Sequence, residues 1–244
     1  MAPQANIFVF ETPEQLALAA AERFVEYAVE LRGMTERFSV ALAGGNTPRR
    51  VYELLATEQF KNRVEWPQVY LFFGDERCVP PSHPDSNYAM AYEALISKVP
   101  IPTKNVNRII GEGNANENAL AYENQLRTFF TGLTWPRFDL ALLGMGEDGH
   151  TASLFPESAA LKEMSRWVVP TRNEQSGQDR ITLTVPVFNQ SRRIMVLVTG
   201  KKKAQRLKEV LRPQPGSEQL PVQAITPING TLEWLVDAEA AALL

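Results

Sequence analysis

The chain has 244 residues, of which 44% are hydrophobic and 22% are charged, and its formal net charge is −3. Abundant aliphatic and aromatic residues exclude a mainly disordered chain, and the slightly acidic balance argues against a nucleic-acid-binding surface, which needs a basic stripe. One cysteine and two histidines exclude an internal disulfide framework, a cysteine-based zinc site and a histidine-rich metal site.

The apolar runs are much shorter than the roughly 20 residues of a membrane-spanning helix. The N-terminal segment MAPQANIFVFETPEQ lacks the basic start and the cleavage site of a signal peptide. We therefore expect a soluble, cytoplasmic protein that binds neither nucleic acid nor membranes. The sequence leaves open whether it is a monomer or a small homo-oligomer.

Strand-like and helix-like patterns alternate in the first half of the chain. A first helix is predicted to begin at Thr12 and Pro13, with Thr12 as N-cap and Gln15 completing a capping box. Strand-like runs cover residues 38–45 and 69–76, and helical spacing covers residues 47–56, 86–99 and 116–130. Thr47 is the expected N-cap of the second helix, and residues 108–111 are a candidate short strand.

The alternation continues to the end of the chain. Strand-like runs cover residues 138–146, 167–170, 180–188, 193–200, 221–225 and 230–237, and a helical pattern covers residues 201–211. Pro186 limits the end of its run to an edge strand or a bend. This order predicts an α/β fold with an open, mostly parallel sheet and helices on both faces. No linker-like segment divides it, so we expect one domain over residues 1–244.

Ligands of such a sheet bind beyond the carboxyl ends of its strands, and four loops there are richer in glycine and polar residues than packing requires. In the first, AGGNTP (residues 43–48), two glycines precede a helix start. Free backbone N–H groups and the helix dipole then form a candidate phosphate cradle. The plainer interpretation is a tight turn between strand and helix.

The second loop covers residues 73–87 and begins with three charged side chains directly after a buried strand. Arg77 is a candidate clamp for an anion or a developing oxyanion. Asp75 and Glu76 are adjacent, so we do not expect both to face one pocket, and Asp75 is the candidate substrate-binding residue of the two. A solvated charge cluster is the alternative interpretation of this loop.

The third loop covers residues 142–158 and contains a GxGxxG pattern at 144–149 that resembles a dinucleotide-binding fingerprint. That fingerprint needs an acidic residue at the end of the next strand, and Glu163, near the right spacing, does not lie in a strand-like pattern. A second interpretation is more specific, because His150 at a strand end is the best candidate general base. Asp148 is placed to orient it. A helix-capping histidine is the alternative.

The fourth loop, TGKKKAQ (residues 199–205), has three lysines at a helix start, where the helix dipole disfavours cations. At least one of them is therefore a candidate phosphate ligand, and solvated lysines are the alternative. Together the four loops predict a pocket for a phosphorylated small molecule that is attacked by an activated water.

Other kinds of site find less support in the sequence. Cys78, His83 and Asp85 lack the compact spacing of metal ligands, so we expect no metal site and treat His83 as a loop histidine. No serine or cysteine nucleophile has a second histidine to activate it, and neither a GxSxG elbow nor a Walker lysine motif is present.

The segments LAGGNTPRRVYELL, FFGDERCVPPSHPDSNY, LLGMGEDGHTASLFP, RITLTVPVFN and VTGKKKAQRLKEVL resemble the glucosamine-6-phosphate isomerase/6-phosphogluconolactonase family, and the match covers essentially the whole chain. The resemblance implies a Rossmann-like sheet and hydrolysis of 6-phospho-D-glucono-1,5-lactone to 6-phosphogluconate. It implies neither a metal nor an organic cofactor.

The resemblance also assigns roles to individual residues. His150 deprotonates the attacking water and then protonates the departing ring oxygen, and Arg77 contacts the lactone. Arg180 and Lys203 also belong to the pocket. The residues on the phosphate side are Gly44, Gly45, Asn46 and Thr47.

Sister deaminases of the fold carry a glutamate five residues after the histidine and commonly a tyrosine after the DE pair. Here those positions are Phe155 and Arg77, which favours the lactonase. Two other hypotheses remain: an NADP-dependent oxidoreductase that uses residues 144–149, and a sugar-phosphate-binding regulator without turnover.

Overall fold

Parallel strands form the central sheet of the structure, a computed structural model that describes residues 6–31 and 37–244. In spatial order the seven strands are β1 (Asn6–Phe10), β10 (Thr231–Asp237), β9 (Arg193–Val198), β6 (Leu140–Gly144), β2 (Phe38–Leu42), β3 (Val69–Phe73) and β5 (Val106–Asn107). Each pair of neighbours is parallel. The predicted α/β class with a mostly parallel sheet is confirmed.

Both faces of this sheet are covered, because all five residues of β2 are buried although successive side chains point to opposite faces. The helices are α1 (Pro13–Glu30), α2 (Asn46–Leu55), α3 (Glu58–Lys61), α4 (Asn87–Ala94), α5 (Ala115–Phe129), α6 (Ala159–Lys162), α7 (Val185–Asn189) and α8 (Ala204–Leu211). Parallel strands end at one edge, so the loops after β2, β3, β6 and β9 emerge together.

A small antiparallel sheet adjoins that edge. It consists of β4 (Asp75–Arg77), β8 (Gln178–Leu183) and β7 (Val168–Asn173), in that order. Only Gly74 separates β3 from β4, so the chain passes directly from the large sheet into the small one. The register places Arg77 opposite Arg180.

The first helix begins as predicted. The Thr12 hydroxyl accepts the backbone N–H of Gln15 at 3.2 Å, and Pro13 occupies the first helical turn. The other half of the capping box is displaced by one residue, because the Gln15 side chain accepts the N–H of Glu11 instead of that of Thr12.

The N-cap predicted for the second helix is wrong. Gly45 takes that position with φ +97°, and no side chain caps the helix. Thr47 lies inside the first turn of α2, where its hydroxyl is 2.8 Å from that of Thr199 after β9. The glycine conformation moves the helix start to Asn46, ahead of Thr47.

Several strand predictions also need correction. Residues 108–111 are not a strand, since β5 ends at Asn107. The run 180–188 divides at Thr184, and Pro186 lies in the first turn of α7 because its fixed φ suits a helix start. Residues 221–224 form a 3₁₀ turn instead of a strand.

Helix boundaries differ as well. The segment 86–99, predicted as one helix, is α4 followed by a 3₁₀ turn. Residues 201–203 are likewise a 3₁₀ turn before α8. Sequence analysis missed β1, an edge strand whose residues are exposed or half-buried.

Glu123 of α5 ties this helix to the segment that enters β7. It is 3% exposed, and its oxygens accept hydrogen bonds from Arg127 (2.7 Å), Arg166 (2.8 Å) and the N–H groups of Trp167 and Val168. Burial alone would raise the pKa of Glu123, but the two arginines hold it below its usual value.

We expect Glu123→Gln to lower the free energy of unfolding at pH 7 by about 1–3 kcal/mol, because both arginines lose a charged acceptor. A lowered folded-state pKa stabilises the protein above the usual carboxyl pKa of about 4.3, and this contribution is lost as pH falls through the folded-state pKa. Urea unfolding at pH 7 and pH 3 should show the difference shrinking. The matched control, exposed Glu117→Gln on the same helix, should stay within about 0.5 kcal/mol; equal effects would contradict the account.

Candidate active site

A cavity of about 180 Å³ lies at the edge where β2, β6 and β9 end. It is lined by Ala43, Gly44, Gly45, Asn46, Thr47, Pro48, Asp75, Arg77, Asn87, Gly144, Met145, Gly146, His150, Thr151, Ala152, Arg180, Leu197 and Lys203. The structure therefore brings all four predicted loops to one site. Asp148 lies beside the cavity and is joined to it through His150.

His150 and Asp148 form a hydrogen-bonded pair. Nδ1 of His150 lies 2.5 Å from Oδ1 of Asp148, and the same oxygen accepts the backbone N–H of His150 at 3.1 Å. A carboxylate only accepts hydrogen bonds, so in the neutral ring Nδ1 carries the hydrogen and Nε2 keeps its lone pair. Burial alone would raise the pKa of Asp148, but the hydrogen bonds from His150 hold it below its usual value.

The pair fits only because residue 146 has no side chain. A Cβ atom there would lie 2.2 Å from Nδ1 of His150 and 2.7 Å from Oδ1 of Asp148. Gly149, with φ +85°, makes the turn between the two residues. Two glycines of the GxGxxG pattern thus serve the histidine loop.

No helix opens from this glycine loop in the described structure. Residues 145–158 form turns, and α6 has four residues and begins only at Ala159. A dinucleotide fingerprint needs a helix N-terminus directly after its glycines to hold the pyrophosphate. Since no helix N-terminus follows the glycines directly, residues 144–149 do not have the geometry of a dinucleotide-binding loop.

Phe155 packs behind the histidine. The centres of the two rings are 4.9 Å apart, and the guanidinium of Arg180 lies 5.8 Å from the centre of the same phenyl ring. Phe155 is 7% exposed. Phe155 thus forms an apolar wall beside both His150 and Arg180.

Arg77 of β4 and Arg180 of β8 are paired directly on neighbouring antiparallel strands. Like charges at such paired positions repel each other. Burial lowers the pKa of Arg180, Arg77 lowers it further, and Asp75 opposes both. Asp75 lies 3.9 Å from Arg180 and accepts hydrogen bonds from Ser153 (2.6 Å) and Asn87 (3.1 Å). The Nε atoms of both arginines are buried without a partner in the described structure. The two arginines are therefore suited to bind an anion.

Adjacent Asp75 and Glu76 point to different surroundings, as expected. Glu76 faces away from the cavity and accepts hydrogen bonds from the Ser86 hydroxyl and from the N–H groups of Asn87 and Tyr88 at the start of α4. Burial raises the pKa of Glu76 despite these bonds. Glu76 therefore fixes α4 beside the cavity.

Sequence reasoning missed Asn87. Its amide donates to the carbonyl and the carboxylate of Asp75, at 2.9 and 3.1 Å, and its side chain lies against Gly44. A Cβ atom at residue 44 would lie 1.9 Å from Oδ1 of Asn87, so only glycine fits there. Asn87 looked like an ordinary first residue of a helix, and only the fold places it in the site.

The first loop presents the N-terminus of α2 to the cavity. Gly45 adopts φ +97°, and Asn46 and Thr47 form the first turn. A hydrogen bond between the hydroxyl groups of Thr47 and Thr199 joins this loop to the lysine loop. An unsatisfied helix N-terminus of this kind is an anion-binding element.

Of the three lysines, Lys203 lines the cavity, whereas Lys201 and Lys202 are exposed. Burial lowers the pKa of Lys203, and the charges of Glu147 and Asp237 oppose that effect. Lys203 has no ion pair with any residue in the described part of the chain. Its ammonium group is thus free for a ligand.

The candidate metal ligands that were set aside lie in a loop. His83 is exposed and its Nδ1 accepts the N–H of Asp85 at 3.1 Å, while burial raises the pKa of Cys78 to about 11. Within residues 6–31 and 37–244, no group of three or more His, Cys, Asp or Glu residues is arranged to hold a metal ion. None of the helices described there is long and apolar enough to span a membrane.

Comparisons with known proteins agree with this geometry. The chain is 38% identical over 244 residues to a 6-phosphogluconolactonase of Synechocystis sp., covering 98% of each chain. It is 34% identical over 239 residues to that of Haemophilus influenzae, covering 98% of this chain and 100% of the other. A solved structure of 6-phosphogluconolactonase from Trypanosoma brucei superposes with a TM-score of 0.89 at 32% identity, covering 100% of both chains.

A family model for glucosamine-6-phosphate isomerases/6-phosphogluconolactonase matches residues 11–234. This range contains every residue that the cavity places together. The model, the identities and the superposition agree on one family. The chain belongs to the glucosamine-6-phosphate isomerase/6-phosphogluconolactonase family.

Proposed function

We propose that this protein hydrolyses 6-phospho-D-glucono-1,5-lactone to 6-phospho-D-gluconate, the second step of the oxidative pentose phosphate route. The observation that carries the proposal is the hydrogen bond between Asp148 and His150 at the wall of a cavity that two arginines and a lysine line. The names of the relatives support the same substrate.

We place the cationic groups at two ends of the cavity, which gives the substrate a direction. The α2 N-terminus and Lys203 form one end, and such a set of backbone N–H groups with an ammonium suits a phosphate. Arg77 and Arg180 form the other. Arg180 and His150 contact the same phenyl ring, so the lactone carbonyl belongs at the arginine end.

His150 acts as base and then as acid in the proposed mechanism. Its Nε2 removes a proton from water while the water oxygen bonds to C1 of the lactone, and the carbonyl electron pair moves onto the oxygen. Asp148 stabilises the imidazolium that forms, and Arg77 and Arg180 stabilise the oxyanion. The oxyanion collapses, the bond from C1 to the ring oxygen breaks, and the imidazolium returns its proton to that oxygen.

We place the activity in the cytoplasm and treat residues 1–244 as one domain that needs no partner macromolecule for this reaction.

The phosphate of the substrate also contributes to the rate, although it does not react. Its binding energy positions the lactone carbonyl against His150 and the attacking water.

Two alternatives make different predictions. An NADP-dependent oxidoreductase would bind NADPH, detectable by fluorescence titration, but the turns after residue 149 offer no helix N-terminus for its pyrophosphate. A binding regulator would take up phosphogluconate without turnover. The deciding experiment supplies lactone freshly made by glucose-6-phosphate dehydrogenase and measures acid release above the spontaneous rate. Acid release that equals the spontaneous rate would refute the lactonase.

We expect His150→Ala to lower kcat by about 10²–10⁴-fold, because the general base is lost. Affinity for 6-phosphogluconate, measured by calorimetry, should remain within a few-fold because the phosphate contacts are intact. His83→Ala is the matched control and should keep its rate, since that histidine lies on an exposed loop. Near-normal kcat in the first variant, or equal losses in both, would contradict the mechanism.

We expect Lys203→Ala to lower kcat/KM for the phosphorylated lactone by roughly 10- to 100-fold, the size of a lost hydrogen bond between charged groups. Glucono-1,5-lactone lacks the phosphate, so its kcat/KM should barely change. Exposed Lys202→Ala controls for the loss of one positive charge. An equal penalty on both lactones would mean that the lysine supports the structure instead of binding phosphate.

A further inference from the structure

Asp237 is a fully buried carboxylate at the end of β10. Its two oxygens accept the backbone N–H of Gly200 at 3.0 and 3.1 Å, and Oδ1 also accepts the N–H of Ala240 at 2.8 Å. These donors belong to the turn after β9 and to the turn after β10. The carboxylate is therefore held in place by main-chain groups from both.

The Gly200 turn leads directly to the cavity. Gly200 adopts φ +95°, a conformation that favours glycine, and its carbonyl accepts the N–H of Lys203 at 3.0 Å. A continuous series of hydrogen bonds thus runs from Asp237 through Gly200 to Lys203. The carboxylate is therefore linked through Gly200 to the start of the lysine segment.

The charge of Asp237 is one of two that favour the ammonium form of Lys203. Burial lowers the pKa of Lys203, and the negative charges of Glu147 and then Asp237 oppose that effect. In a partly buried site such attraction extends beyond contact distance. Lys203 nevertheless has no ion pair with a described residue, and the Asp237 oxygens accept from backbone N–H groups.

We propose that Asp237 is a positioning residue for the phosphate end of the cavity: it fixes the Gly200 turn, and thereby the start of the Lys203 segment, without pairing with the lysine. A direct salt bridge would compete with an incoming phosphate, whereas a fixed carboxylate at a distance does not. The inference rests on the proposed function in taking the anion at Lys203 to be a sugar phosphate.

Several other charges lie near Lys203 and bear on its test. Glu147 follows β6, and Arg206 of α8 donates to the Glu147 carbonyl at 3.1 Å. Lys201 and Lys202 precede Lys203 and are exposed. Exposed Glu239 accepts the Lys201 N–H at 3.4 Å, two residues beyond Asp237. It offers a control with the same charge and an equally local backbone contact.

The test is calorimetric titration with 6-phosphogluconate from pH 7 to pH 10. We expect Asp237→Asn to weaken binding roughly tenfold at pH 8. Because the variant loses a charge that favours the ammonium, the alkaline loss of affinity should move to lower pH. Glu239→Gln should change the affinity less than twofold and leave the pH profile in place. Equal profiles in both variants would overturn the proposal.

A second comparison separates positioning from a merely structural role. If Asp237 acts through Lys203, Asp237→Asn should cost less than about twofold in a Lys203→Met background, since coupled residues are not additive. The same tenfold loss in both backgrounds would overturn the proposal. Turnover of glucono-1,5-lactone should change little in Asp237→Asn, because that substrate has no phosphate.

Gly200→Ala covers the case in which Asp237→Asn does not fold. An added Cβ meets no atom within 4 Å, so only the backbone conformation at φ +95° is strained. We expect weaker 6-phosphogluconate binding, and unchanged affinity would overturn the proposal. A wild-type protein that binds 6-phosphogluconate but releases no acid would instead refute the lactonase alone.

Discussion

The hydrogen bond between Asp148 and His150 is the interaction on which the site depends. It sets the tautomer that leaves Nε2 free, and it exists only because residue 146 lacks a side chain that would collide with both partners. Gly149 turns the chain between them, and Phe155 closes the rear of the imidazole. The loop after β6 thus positions the His150 imidazole. The parallel sheet brings this loop next to the loops that follow β2, β3 and β9.

Around that ring the protein keeps more positive charge in the cavity than it neutralises. Two arginines oppose each other with unpartnered Nε atoms, and Lys203 has no ion pair among the residues described. Such groups cost stability when no ligand is present, and Asp75 and Asp237 offset part of that cost from fixed positions. An anionic substrate balances this positive charge. The same unpaired groups that lower the stability of the free protein therefore contribute to its affinity for the substrate.

Sequence patterns predicted the sheet, the first helix and the loops that meet at its edge, because buried parallel strands and glycine turns leave strong local signals. Two predictions failed for local reasons: the conformation of Gly45 took the cap expected at Thr47, and Pro186 opened a helix within residues 180–188. Asn87 and Asp237 gave no local sign of their position, because it depends on contacts with other segments that no motif records. The roles of His150, Arg77, Arg180 and Lys203 stay predictions.

The orientation of the substrate is the central claim, since both ends of the cavity attract anions. A crystal structure with 6-phosphogluconate tests it most directly. The account predicts the phosphate against the N–H groups that follow Gly45 and against Nζ of Lys203, with the C1 carboxylate beside Nε2 of His150 and the guanidinium of Arg77. A reversed ligand, with its phosphate between Arg77 and Arg180, would contradict the assignment of base, oxyanion site and phosphate site together.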